Sequence, residues 1–226
     1  LGLCYELGLG VERDPKHAVD CYRKAARSGL AQAQCNLAVC YLNGIGVEQD
    51  PASAVRLLRA ACRSDHPRAI ELLAHCLQQG LGCERDEAAA VELLEHGAKR
   101  GFAAASYSLG LCYENGTGVK ADPAQAAALY AAAAQKGYLP GICNLAVCYL
   151  NEIGVTADPK QAVTLLEKAA SKNFPRALDL LGTLYRTGIG VQKDLSQAVS
   201  LFQKAADQQY PSALCNLGLC CEIGEG

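Results

Sequence analysis

Residues 36–51 read NLAVCYLNGIGVEQDP, and residues 144–159 read NLAVCYLNEIGVTADP, with thirteen of sixteen letters identical after a shift of 108 positions. The shift is three times 36, and the same step runs along the whole chain. Gly10, Gly46, Gly82, Gly118, Gly154, Gly190 and Gly226 follow it, as do Asp14, Asp50, Asp86, Asp122, Asp158 and Asp194, and Ala18, Ala54, Ala90, Ala126, Ala162 and Ala198. A period of this size replaces the ordinary expectation of one or two globular domains with a stack of supersecondary units. Every residue is therefore weighed first by its phase in the repeat.

Residues 31–66 serve as one period. Ala33, Leu37, Cys40 and Tyr41 fall on one face of a helix, and Gly44 stands where a helix C-terminus takes a left-handed residue. The loop GIGVEQ follows, with Gly46 again free to take positive φ and Val47 placed to fill the gap between helices. Asp50-Pro51 reads as an N-cap and first helical residue. A second helix, ASAVRLLRAAC, turns Ala54, Leu58, Ala61 and Cys62 inward. Asp122 with Gln125, Asp158 with Gln161 and Asp194 with Gln197 have the spacing of capping boxes. Neither helix buries its apolar face alone, so each pair must be covered by the next. Recurring small residues, such as Ala18, Ala25, Ala33 and Ala38, let neighbouring helices approach closely.

These letters resemble the Sel-1-like repeat, a relative of the tetratricopeptide repeat. Residues 105–137, ASYSLGLCYENGTGVKADPAQAAALYAAAAQKG, follow the family pattern almost letter for letter, and the resemblance covers the entire chain. It implies an all-α fold: a right-handed α-solenoid of antiparallel helix pairs, with six 36-residue repeats plus partial ends, forming one domain over residues 1–226. The departures are local. Glu152 replaces the first loop glycine, Leu77 and Cys221 replace the tyrosine, and Asp65, Asn173 and Gln209 replace the closing glycine, so altered turns are expected there. Neither end carries a polar capping helix, which reads as an excerpt of a longer protein.

Composition narrows the function. Twenty-one basic and twenty-three acidic residues give a formal charge of −2, which favours neither nucleic acid nor an anionic membrane. No apolar run is long enough to span a bilayer. Thirteen cysteines are an odd number, and Cys4, Cys40, Cys76, Cys112, Cys148 and Cys220 share one phase, in which Leu184 also stands. That phase marks a small buried hydrophobe. Cys35/Cys40, Cys143/Cys148 and Cys215/Cys220 are five apart on one helix and point about 140° away from each other, so they do not bridge. A reducing, cytoplasmic compartment is the expectation, although the sequon Asn115-Gly116-Thr117 leaves the secretory pathway open.

Catalytic patterns are missing. Glycine pairs such as Gly44-Ile45-Gly46 do not continue into a phosphate loop, and no G-x-S-x-G or H-E-x-x-H motif occurs. Cys62, His66, His75, Cys76 and Cys83 have the right chemistry for zinc, but the usual close thiolate spacing is absent. Phase gives every member except His75 a structural role. No enzyme activity, cofactor or metal is expected.

In the tetratricopeptide family the first helix of each pair lines a concave surface that often grips an extended peptide. Carried onto this sequence, that surface in the 31–43 helix is Gln32, Cys35, Asn36, Val39, Leu42 and Asn43. Asn36, Asn144 and Asn216 share one of these phases, where a side-chain amide either pairs with a peptide backbone or bonds helix to helix. The variable positions add Arg68, Glu71, His75 and Gln78, then Tyr107, Leu111 and Glu114, then Arg176, Asp179 and Arg186. The candidate groove is thus Asn36, Arg68, His75, Tyr107, Asn144, Arg176, Arg186 and Asn216. The expected function is a protein-binding adaptor whose partner is a protein or peptide. A structural role through self-association is one alternative, and a thiol or metal sensor is another.

Overall fold

A computed structural model describes residues 1–224; Gly226, the last of the periodic glycines, lies outside the described residues. The chain divides into two compact units, Leu1–Ala121 and Asp122–Gly226. The described residues are helical throughout and contain no strand. The first unit holds α1 (Gly2–Leu7), α2 (Pro15–Arg27), α3 (Ala31–Asn43), α4 (Pro51–Cys62), α5 (Pro67–Gln79), α6 (Glu87–Lys99) and α7 (Ala103–Asn115). The second holds α8 (Pro123–Gln135), α9 (Leu139–Asn151), α10 (Pro159–Ala170), α11 (Pro175–Thr187), α12 (Leu195–Ala206) and α13 (Pro211–Ile223). Within each unit every helix packs on the next in sequence, and α5 also touches α7. This is the architecture of an α-solenoid.

The periodic aspartates start the second helix of each pair. Asp50 accepts from the Ser53 amide at 3.0 Å, Asp158 from Gln161 at 3.0 Å and Asp194 from Gln197 at 2.9 Å. The reciprocal half of the expected capping box is not needed, because the aspartate's own amide is already used. Asp50 N–H donates to the Tyr41 carbonyl at 3.0 Å, Asp158 to Tyr149 at 3.0 Å and Asp194 to Tyr185 at 2.9 Å. This bond ties the loop back to the first helix through backbone alone. Leu77 therefore replaces tyrosine without loss, taking the Asp86 amide at 2.9 Å.

The turns at the departures are not altered. Among the described residues, the non-glycine residues with positive φ are Asp65, Glu152, Asn173 and Gln209, the same positions where the sequence lacks the family glycine. Glu152 ends α9 at φ 56° and ψ 36°, close to the 68° and 30° of Gly44 after α3. The stack imposes the left-handed turn, and the side chain tolerates it.

The second loop glycine is a different case. A Cβ on Gly46 would lie 2.2 Å from the Pro15 carbonyl oxygen, on Gly154 2.1 Å from that of Pro123, and on Gly190 2.4 Å from that of Pro159. Each loop is pressed against the first turn of the preceding second helix, where no side chain fits. Val47 fills the gap beside it, half-buried against the cluster formed by Ala18, Tyr22, Leu37 and Cys40.

On the second helices the core combines a periodic alanine with a larger residue four positions on. Ala54, Ala90, Ala162 and Ala198 are wholly buried, with Ala18 and Ala126 nearly so. Leu58, Leu94, Leu166 and Phe202 fill one phase, shared by Tyr22 and Tyr130. Cys62 is half-buried, less inward than its periodicity suggests.

Candidate functional site

In the first unit, the first helices α3, α5 and α7 carry a chain of three depressions. One, of about 770 Å³, is lined by Leu3, Leu30, Gln32, Asn36 and Arg68 among others. The next, of about 320 Å³, lies between α3 and α5; Val39, Leu42, Leu72 and Leu81 give it an apolar wall, with Arg68 and His75. The third, of about 390 Å³, lies between α5 and α7 and is more polar, with Glu71, His75, Gln78, Ser108 and Asn115. Arg68 belongs to the first and second depressions and His75 to the second and third, so neighbours meet at shared side chains.

The polar groups of the third depression are unequally satisfied. Gln78 Nε2 donates to Cys112 Sγ at 3.2 Å. Glu87 is paired with Arg85 and accepts the Gly118 amide at 3.1 Å. Glu71 is half-buried and makes no hydrogen bond or ion pair among the described residues. Its burial raises the carboxyl above its ordinary value, with the Arg68 charge acting in the other direction.

The sequence candidates divide accordingly. Asn36, Arg68 and His75 lie on this track, with Arg68 and His75 exposed and Asn36 accepting from Gln32 at 3.0 Å. Tyr107 is half-buried on α7 and lines none of the three depressions. Cys35, expected toward the groove, is instead completely buried. It sits on the core side because Ala33, Leu37 and Ala38, which flank it on α3, are buried too. Residues that the sequence reading did not place among its leading candidates are the wall residues Leu72, Leu81 and Ser108; their periodicity alone does not separate a groove wall from a solvated face.

In the second unit the candidate polar residues are buried or half-buried. Asn216 Nδ2 on α13 donates to Asp179 Oδ1 on α11 at 2.8 Å, a helix-to-helix bond. Asp179 is only 7% exposed, and burial raises its carboxyl while Asn216 and Arg186 pull it back. Asn144 is 8% exposed, and its Oδ1, like Arg186 Nε, is buried without a hydrogen-bond partner. Arg176 is half-buried and lies near Cys143, whose thiol burial pushes up to about 11.

The zinc-like set is dispersed into local roles. His66 Nδ1 accepts the Ala69 amide at 3.3 Å as a helix cap, and its Nε2 faces Gln32 at 3.1 Å. Cys76 is fully buried, while His75 lies in the groove. Among the described residues no group of three or more histidine, cysteine or acidic side chains is arranged to hold a metal. None of the thirteen cysteines is in a disulfide, and seven of them are buried.

The Sel1 repeat family matches residues 1–30, 31–66, 67–102, 103–138, 140–174, 175–210 and 211–226. The chain is a Sel1 repeat protein. Its solved relatives include a Sel1 repeat protein from Oxalobacter formigenes, 30% identical over 90% of this chain and 82% of that one, with a TM-score of 0.81. The protective antigen c5321 of uropathogenic Escherichia coli, with the same repeat fold, is 32% identical over 97% of this chain, with a TM-score of 0.79. This Sel1 repeat chain spans about half of that antigen, 47% of its length. The immunity protein Pa5087 from Pseudomonas aeruginosa shares the fold at 20% identity and a TM-score of 0.63, over 90% of this chain and 78% of its own. No curated protein matches the chain. Sel1 repeat proteins are generally non-catalytic scaffolds for protein interaction. No described helix of this one is long and apolar enough to cross a membrane.

Proposed function

We propose that the chain is a non-enzymatic adaptor whose first unit holds an extended peptide segment of a protein partner along α3, α5 and α7. The observation that carries this reading is the sharing of Arg68 and His75 between successive depressions. A path of this kind suits an extended chain, which offers a side chain to each depression in turn. The formal charge of −2 gives nucleic acid no basic field to follow. Thirteen thiols, none of them in a disulfide, suit a reducing compartment such as the cytoplasm.

Obstruction tests the groove. A partner isolated by pull-down with the wild-type chain is titrated calorimetrically against Val39→Trp and Ser108→Trp, which fill the second and third depressions. Each weakens binding at least tenfold, whereas Lys168→Glu, exposed on α10, leaves it unchanged. Full binding to both tryptophan variants, with loss in Lys168→Glu, sinks the reading. Self-association is the second reading, favoured by the exposed Leu3 and Leu7 on α1 and by Leu214, Leu219 and Ile223 on α13. A monomeric mass in light scattering at high protein concentration removes it.

A further inference from the structure

Among the described residues, Glu71 is the one acidic side chain lining this track that has no hydrogen-bond or ion-pair partner. Glu87, the other carboxylate lining the third depression, is neutralised by Arg85 and bonded to the Gly118 amide. Arg68, one turn before Glu71 on α5, is not within ion-pair distance and stands at the first and second depressions instead. A carboxylate taken half out of water without a counter-charge is held at a cost, which an incoming cation relieves. The relief is greatest for a donor that also supplies charge-assisted hydrogen bonds. The depression suits such a side chain in shape as well as charge, because Leu111 and Leu94 line it beside the polar groups. A long aliphatic stem can rest on them with its charged end at Glu71.

We infer that the third depression receives a lysine or arginine side chain of the bound peptide, with Glu71 as its counter-charge, and that the apolar second depression receives an aliphatic or aromatic side chain of the same peptide. This rests on the groove reading and adds the partner's chemistry to it. The two depressions flank α5 and are separated by roughly one helix-to-helix spacing, about 9 Å. An extended chain covers that in about three residues. The recognised element is therefore a basic residue about three positions from an apolar one, in an extended segment of a partner protein.

A random-peptide phage library panned on the purified chain tests this directly. Wild type enriches clones carrying lysine or arginine about three positions from leucine, isoleucine, valine or phenylalanine. Synthetic peptides from those clones lose at least tenfold in affinity when the basic residue becomes alanine, and lose the same when Glu71→Gln is used instead. Combining the two changes costs little more than either alone. Panning on Glu71→Lys shifts the selection to aspartate and glutamate. Selection without a basic preference, selection unchanged by Glu71→Gln, or no enrichment at all overturns the inference. Clones that bind Val39→Trp and Ser108→Trp as well as wild type would instead indict the groove reading, whatever their charge. Circular dichroism of each variant confirms that the fold is retained.

Discussion

Gly182 and Phe202 form a pair whose alternative already exists elsewhere in the chain. A Cβ on Gly182 would lie 2.7 Å from Phe202 Cε1, and one on Gly2 would lie 2.6 Å from Tyr22 Cε1. At the same two phases, Ala38, Ala74 and Ala146 accompany Leu58, Leu94 and Leu166. Glycine goes with an aromatic ring and alanine with leucine, which is volume compensation written into one sequence. Gly182→Ala should therefore be destabilising, because ordinary carbon contacts begin near 3.5 Å and the ring must yield. Phe202 is wholly buried and has nowhere to move. Overpacking of this kind costs about 1–3 kcal/mol. Phe202→Leu alone leaves a void and costs about 1–2 kcal/mol. The double variant restores the alanine–leucine solution, so it should be no less stable than Phe202→Leu, with a coupling at least as large as the Gly182→Ala loss, about 1–3 kcal/mol. Urea unfolding followed by circular dichroism gives the four midpoints, with the slope checked for constancy. If the two single losses add in the double variant, the packing argument is wrong.

Further predictions concern the backbone, a buried alanine and the thiols. Gly190→Ala should cost more than Gly188→Ala. Both incur about 1–2 kcal/mol for a left-handed residue, but only the former drives a methyl to 2.4 Å from the Pro159 oxygen, while the nearest atom to a Cβ at Gly188 lies at 3.3 Å. Glu152→Gly, by the same logic, raises the urea midpoint, by a stabilisation of up to about 1 kcal/mol, and equal midpoints for the two alanine variants would refute the distinction. Ala126→Leu should lower stability by about 1–3 kcal/mol, since Ala126 is 1% exposed; an unchanged thermal midpoint would show that no close neighbour faces it. Burial pushes the Cys40 and Cys143 thiols from 9.0 to about 11. A folded-state value above the unfolded one means that stability is complete below pH 9 and falls as pH rises through about 11. The urea midpoint should thus hold to about pH 8.5 and decline above it, less steeply in Cys143→Ala. Thiol titration should find Cys215 and Cys221 first and all thirteen only after denaturation.

The fold was legible because it is written several times over. The 36-residue step places the caps, the turns and the buried alanines without reference to tertiary contacts, since each repeat meets only its neighbours. The packing of Gly182 against Phe202 was not read from the sequence, because it shows only as a correlation between two phases and not in the periodicity of single positions. The groove was readable only in part. Asn36, Arg68 and His75 fall on the track, but phase cannot tell that Cys35 faces the core or that Asn216 spends its amide on Asp179. Those outcomes depend on which neighbour stands across the helix interface, and the surface letters that decide it do not repeat. Glu71 stands out only when its surroundings are known, because an acidic residue on a helix is ordinary until its partners are counted.

The contact between the second loop glycines from Gly46 to Gly190 and the carbonyls beneath them has a consequence for how such a chain can change. Both sides of that joint are main chain, so no drift of side chains can loosen or retune it. Adding or removing a whole 36-residue block regenerates the same joint, whereas a slip of one position puts a side chain where 2.1–2.4 Å of clearance remains. The architecture therefore lengthens in indivisible increments, like a chain of fixed links. The outward-facing letters of every link stay free to diverge, and recognition can be rewritten one link at a time while the joinery stays the same.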